Sequence, residues 1–190
     1  HHITSAMQCE SGVGGVEAYN YVFDGFYNET NPEWFQGSSY THGACAYILR
    51  EGNIGQGFIQ DVVHAPNYFH TALRNRWYGQ QNDNFGNPQS LQTVAVHIYA
   101  PNRYNNILGN VLGTTGYHTK YEAYPASAAD CDTSVFALGF GGNCGNGTVD
   151  NAADVRTSLL RWGNYDTVNA AVRWQSSEVP TADANYPSST

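Results

Sequence analysis

The sequence predicts an all-β chain wound as a parallel solenoid, with a coil of about 22 residues interrupted by inserted loops. Three observations carry this reading. The composition is poor in charge and rich in turn formers, a spaced motif recurs, and short strand-like runs alternate with Gly, Asn and Pro clusters.

Charged residues make up 13% of the 190, about half the usual share. A helical bundle needs far more Glu, Lys, Leu and Ala to build its faces. The 14 Tyr and 8 Phe, together with Thr, Val and Trp, suit pleated surfaces instead, and the 20 Gly and many Asn suit turns with positive φ. A net charge of -8 with only 8 Lys plus Arg leaves no basic stripe for a phosphate backbone, so nucleic acid is excluded as a partner. No apolar run has the length of a membrane span, and the start at His1 reads as processed or truncated.

The repeat is explicit. His42, Asn53 and Gly57 recur as His64, Asn75 and Gly79, a shift of 22 residues that also carries Tyr47 onto Phe69. A looser copy runs His97, Asn110, Gly113. In a solenoid each coil touches only its neighbours, so equivalent side chains stack along the axis. Asn53, Asn75 and Asn110 are expected to form such a ladder, with Asn164 as a fourth member, each bonding to the next coil.

Strands are expected at 19–26, 46–50, 71–78, 94–99, 106–112 and 159–162, each rich in β-branched or aromatic residues. Loops fall at 52–57, 81–89 and 139–147, where Gly, Asn and Pro cluster. The stretch 80–92 reads as an insertion that lengthens the interval from His64 to His97, while 151–160 reads as a loop or a short helix. The whole chain is one domain, a segment of a longer β-helix, with 121–158 an irregular loop region within it. Four cysteines allow three disulfide connectivities. Cys131 with Cys144 is the preferred pair, because it closes the Gly-rich stretch 133–143 and removes its ordering entropy. The spacings of zinc sites are absent, and no metal ligand is assigned.

The strings HHITSAMQCESGVGGVEAYN, LREGNIGQGF, NNILGNVLGTTGYHT and LLRWGNYDTVNAAVRWQSSEVP cover most of the chain in order. In them the chain resembles the C-terminal portion of secreted bacterial right-handed parallel β-helix proteins of the pectate-lyase-like kind. The resemblance implies a right-handed β-helix, a secreted, extracellular or periplasmic location, and polysaccharide as the partner; it implies no activity, since this fold hosts lyases, hydrolases, adhesins and phage spikes. The NTD, DD, GHG and RIK signatures of galacturonan hydrolases are absent, and His42 sits in THG. Calcium-dependent pectate lyases cluster Asp residues on adjacent coils; here only Asp61 and Asp83 share an approximate offset, so calcium is allowed but not required.

Three constellations bear on chemistry. His42, His64, His97 and His118 would stand in one column if the long interval is an insertion, binding a transition metal, serving proton transfer or simply completing the coil edge. The segment 60–79 concentrates Asp61, His64, Arg74, Arg76 and Tyr78. On one strand Arg74 and Arg76 would point the same way and grip a uronate carboxylate, with Tyr78 beside them; the alternative pairs both arginines with Asp61 or Glu51. Asp61, His64, Arg74 and Arg76 are therefore the catalytic candidates for a polysaccharide lyase. A glycoside hydrolase would draw a carboxylate pair from Glu10, Glu17, Asp24, Glu51, Asp61 and Glu122. Two sequons begin at Asn28 and Asn146. The expected function is binding or processing of polysaccharide, including acidic glycans. The rival is a structural surface or matrix protein that self-associates through its coil ends, where an unpaired edge must be covered.

Overall fold

The structure, a computed structural model, describes residues 6–28, 31–61, 63–83, 85–125, 130–144 and 153–180. In chain order the elements are β1 (Met7–Cys9), β2 (Val13–Ala18), β3 (Phe26–Asn28), β4 (Asn31–Phe35), β5 (Ser39–Thr41), β6 (Ala46–Glu51), β7 (Ile54–Gly55), β8 (Phe58–Gln60) and β9 (Thr71–Leu73). Then follow β10 (Arg76–Trp77), β11 (Val96–Ile98), β12 (Asn106–Leu108), β13 (Val111–Leu112), β14 (Lys120–Ala123), β15 (Ser134–Leu138), α1 (Ala153–Thr157), β16 (Leu160–Trp162), β17 (Asn164–Asp166), β18 (Ala171–Arg173) and a 3-10 turn, Ser176–Glu178. Among the described residues no helix is long and apolar enough to cross a membrane.

Three sheets carry the architecture, in the orders β1-β5-β8-β11-β15-β14, β2-β6-β9-β12-β16 and β7-β10-β13-β17-β18. The chain visits them in rotation, as β5-β6-β7, β8-β9-β10, β11-β12-β13 and β15-β16-β17, and each strand pairs in parallel with its counterpart one circuit on. Such nearly all-β stacking of parallel strands is compatible with a β-helix. Among the described strands the exceptions to parallel pairing are the hairpin β3–β4 and the strand β18, which runs antiparallel to β17; a single antiparallel bridge also joins Asn82 and Pro88.

At the bend between the second and third sheets an Asn stacks on an Asn in every circuit. Asn20 donates from its backbone N and from Nδ2 to Asn53 Oδ1, at 3.0 and 2.9 Å. Asn53 does the same to Asn75, Asn75 to Asn110, and Asn110 to Asn164, all within 3.0 Å. The second Nδ2 proton goes to a backbone carbonyl, of Arg50 in the case of Asn75 and of Ala72 in the case of Asn110. The residue before each Asn has positive φ: Tyr19, Gly52, Arg74, Gly109 and Gly163. Glycine is required at two of these places for a further reason. A Cβ on Gly52 would meet the Tyr19 ring at 2.7 Å, and one on Gly163 the Trp174 ring at 2.6 Å.

These bends explain where the strand expectations depart from the structure. Residues 71–78 and 106–112 are not single strands, because Arg74 and Gly109 turn the chain from one sheet to the next. Residues 19–26 contain no strand before Phe26, since Tyr19 and Asp24 both have positive φ. The 22-residue interval holds for the step from Asn53 to Asn75 but not for its neighbours, which span 33, 35 and 54 residues. Extra residues are accommodated as loops between strands while the register is kept. Region 121–158, read as irregular, contains β15, whose five residues are all buried, and α1. The disulfides are Cys9–Cys45 and Cys131–Cys144.

The core lies inside the three sheets, around Phe58, Trp77, Val96, Ile98, Ile107, Leu112, Phe136 and Leu138. It is not wholly apolar. Arg50, fully buried, is ion-paired with Glu17, Nε to Oε2 2.9 Å, donates from Nη2 to Glu17 Oε1 at 3.4 Å and from Nη1 to His70 Nδ1 at 2.8 Å, and lies over the Phe58 ring. Gln60 and Asn105 exchange side-chain hydrogen bonds at 3.2 and 2.8 Å. Outside, at the bend leading into the second sheet, the rings of Tyr47, Phe69 and Tyr104 stack nearly parallel at 5.0 and 5.1 Å, each residue again with positive φ.

The inner rungs Asn53, Asn75 and Asn110 are buried and each bonds both its neighbours, so removal of one strands donors on the adjacent circuit. Asn75→Ala is expected to lower unfolding free energy by about 1–3 kcal/mol. Equilibrium urea denaturation measures this, and an unchanged midpoint would show that the ladder does not carry stability.

Candidate functional site

The first sheet alternates its side chains between core and exterior. Phe58, Val96 and Ile98 face the core, while Tyr40, Ile59 and His97 occupy the intervening register positions on the outer face. Each strand there ends on a polar or aromatic residue: His42 after β5, Asp61 after β8, Tyr99 after β11. The strand ends stack, with the backbone N of Asp61 bonded to Thr41 O and that of Tyr99 to Gln60 O. Three circuits thus bring these residues to one place.

They line a cleft of about 310 Å³. The hairpin β3–β4 supplies Tyr27 and Trp34, whose rings lie 5.1 Å apart, and the loop after β15 supplies Asn143. Tyr40, Gln36 and Gln92 add polar groups, and Phe35, Ile59 and Val63 apolar ones. Among the described lining residues there is no Lys or Arg.

At the cleft's centre Asp61 Oδ2 accepts from the Tyr40 hydroxyl at 2.5 Å and pairs with His42 Nδ1 at 2.5 Å. Its other oxygen accepts from the backbone N of Val63 at 3.3 Å. An ionised carboxylate only accepts, so His42 carries its proton on Nδ1 and presents Nε2 as the basic nitrogen. Burial and the neighbouring Asp61 push the Tyr40 hydroxyl well above the usual phenol range, and burial does the same to Tyr99. Both phenols remain donors. The Tyr99 hydroxyl donates to Asn143 Oδ1 at 2.5 Å, and Gln92 holds Cys144 by a pair of bonds, Nε2 to the carbonyl at 3.1 Å and Oε1 from the backbone N at 2.9 Å. The arrangement can move a proton through His42 and can hydrogen-bond several hydroxyl groups between aromatic faces.

Of the residues read from the sequence, Asp61 lies in this cleft and His64 stands beside it, its ring centroid 4.4 Å from that of His42 in an edge-to-face arrangement. Arg74 and Arg76 do not share a strand or a side with Asp61. Arg74 sits in the positive-φ bend before β10 and is ion-paired with Glu51. Arg76 lies over the Tyr78 ring at 4.4 Å and donates to the carbonyls of Val111 and Gly113 at 3.2 and 2.7 Å. The expectation that both arginines point one way from one strand is corrected by the bend at Arg74. The histidine column holds only at its first step, where the His42 and His64 rings meet edge to face. Asp61, 19 residues on, is the residue that pairs with His42 across the circuit; His97 is buried two circuits further along the same sheet, and His118 lies after β13, accepting from the backbone N of Thr114. Asp83 accepts from the backbone of Phe85 and Asn87 and shares no cluster with Asp61. The sequon at Asn28 ends β3, and that at Asn146 lies outside the described residues.

Tyr40, Tyr99, Trp34, Gln92 and Asn143 were not singled out from the sequence. One local signal existed, since Tyr40 and His42 are two apart at the end of a strand and so share a face. The others come from separate circuits and need the register. Comparison with protein-family models, with curated proteins and with solved structures finds no match to this chain.

Three histidines away from the cleft's basic nitrogen are buried and held neutral. Burial lowers His70 and His97 from 6.5 to about 3 and His118 to about 4. Their folded values lie below the unfolded one, so the stability they contribute is complete above pH 6.5 and is lost as pH falls toward 3. Asp132, raised to about 6 by burial, acts in the opposite direction but is one group against three. Unfolding free energy is therefore expected to fall between pH 6.5 and 4, at about 1.4 kcal/mol per pH unit for each net proton. Denaturant midpoints that stay level across this range would contradict the neutral assignments.

Proposed function

We propose that this chain is a secreted right-handed parallel β-helix, resembling the pectate-lyase-like proteins, whose lateral cleft binds a polysaccharide chain. One observation carries the reading: a single groove joins the ring faces of Trp34 and Tyr27 to the Asp61, His42 and Tyr40 cluster. Sugar rings present C–H faces that pack on aromatic rings and hydroxyls that bond carboxylates and side-chain amides. Two disulfides agree with an oxidising compartment. The lining favours neutral glycans over the acidic ones considered from the sequence, because its described residues include a carboxylate and no Lys or Arg to receive a uronate. A two-carboxylate hydrolase finds no support in a lining whose described residues include one acid, Asp61.

Calorimetric titration with neutral and acidic oligosaccharides tests this, alongside assays for reducing ends and unsaturated products. Neutral oligosaccharides are expected to bind, and Trp34→Ala to weaken them by about tenfold, or ~1.4 kcal/mol. Binding of uronates alone, unaffected by Trp34→Ala, would move the site elsewhere. Products formed by wild type and lost in His42→Ala would add proton transfer to binding.

A structural role, with assembly through the ends of the stack, is favoured by a different observation. At one end β18 runs antiparallel to β17 and covers the third sheet. At the other, Val13, Val16 and Tyr19 are 76%, 69% and 76% exposed, and β2 pairs only with β6. An exposed apolar edge strand is covered by pairing with a further strand, and a second copy meeting it edge to edge would supply one. Sedimentation should show a dimer that Val16→Lys dissociates; a monomer at every concentration removes this reading.

A further inference from the structure

Behind the cleft wall lies a second small core formed by Val94, Ala123, Cys131, Ala137, Phe140 and Cys144. Against it stands His97, buried, with Nε2 4.0 Å from Cys131 Sγ. The candidate ligand atoms of His97, Cys131 and Cys144 lie within 4.8 Å of one another, and those of Asp130, Asp132 and Cys144 form a second such set. Cys144 belongs to both. In the disulfide form the two sulfurs are bonded to each other and are poor ligands.

A phosphine gives two electrons to the sulfur–sulfur bond and takes the oxygen of a water molecule to become a phosphine oxide; that water's two protons complete two thiols beside His97. We propose that in this dithiol form Cys131, Cys144 and His97 bind one zinc ion. Binding displaces the two thiol protons to solvent, and zinc keeps its oxidation state. Ligand lengths of about 2.3 Å to sulfur and 2.0–2.1 Å to nitrogen place tetrahedral donor atoms about 3.5–3.8 Å apart. The His97 to Cys131 separation is already near that value. The sulfurs part by side-chain rotation, because other bonds hold the backbone on either side. Cys131 leads directly into β15, where Ser134 donates from Oγ to its carbonyl at 2.6 Å, and Cys144 is gripped twice by Gln92. Burial keeps His97 unprotonated, the state a ligand requires. The same two cysteines thus serve as a disulfide under oxidising conditions and as a zinc site under reducing ones.

The test uses the full chain, reduced with a phosphine without oxygen, and cobalt(II) as a spectroscopic probe displaced by zinc. One equivalent with a tetrahedral thiolate spectrum is expected after reduction, and none before it. His97→Ala should weaken binding by at least about 10–100-fold. A Cys9→Ser, Cys45→Ser double variant should still take one equivalent, which separates this site from the other disulfide. Absence of the spectrum in the reduced chain, or equal affinity in His97→Ala, overturns the proposal. If reduction unfolds the chain, recovery of its circular dichroism on adding zinc supports the site, and failure to recover overturns it.

Discussion

Everything in this structure depends on one repeated bond: the side-chain amide of an Asn set into the bend of each circuit and passed to the next. Asn20, Asn53, Asn75, Asn110 and Asn164 form an unbroken series in which each Oδ1 beyond the first accepts two protons from the circuit before it. Two contacts per rung fix the register along the axis, and the positive-φ residue before each rung fixes where the chain turns. A slip by one residue would break the series and reverse the faces of every short strand. Strands of two and three residues could not hold register alone.

Because the bend holds the register, chain length between bends is free. Successive rungs are separated by 33, 22, 35 and 54 residues without loss of a bond. The excess leaves the stack as loops, and the loops are where the candidate site gets its walls. Inside, the same freedom admits polar groups. Arg50 is paired with Glu17 and bonded to His70, whose Nε2–H donates to the Cys45 carbonyl at 2.9 Å. Such a buried set costs desolvation, and its geometry is satisfied in one alignment of three circuits. It reinforces the register that the Asn series imposes.

The ladder was legible in the sequence because Asn at a Gly-preceded turn is a local signal, as in Gly52-Asn53, Gly109-Asn110 and Gly163-Asn164. Asn20 was missed because Tyr19 stands where the others have Gly or Arg. The splitting of 71–78 and 106–112 into two strands each was not legible at Arg74, a residue with no turn preference that adopts positive φ under the pull of the rungs beside it. The histidine column failed for a related reason. Matching His42 to His64 assumed that all three sheets share one period, whereas the first sheet closes its circuit in 19 residues and the bend ladder in 22. Asp61 therefore meets His42 in register, while His64 reaches the His42 ring from the loop that follows and the column goes no further. Tyr99 and Asn143 could not have been joined to this pair without the lengths of two further loops.

The cleft shows what such a scaffold gives to a binding site. Its floor is the outer face of the first sheet, at the ends of three strands, and does not depend on any loop. Its walls are two insertions, and each is tied back to that floor by bonds unrelated to the ladder: Phe35 on the hairpin side to Leu91, and Asn143 on the other side to Tyr99. Gln92 sits between them, one residue from Leu91 and doubly bonded to Cys144. The segment 91–92 therefore couples both walls, and through Cys144 to the disulfide. A rigid floor with walls joined through one short segment positions Trp34 and Asn143 against Asp61 and His42 at little entropic cost to a bound ligand, which is what a site built from loops otherwise lacks.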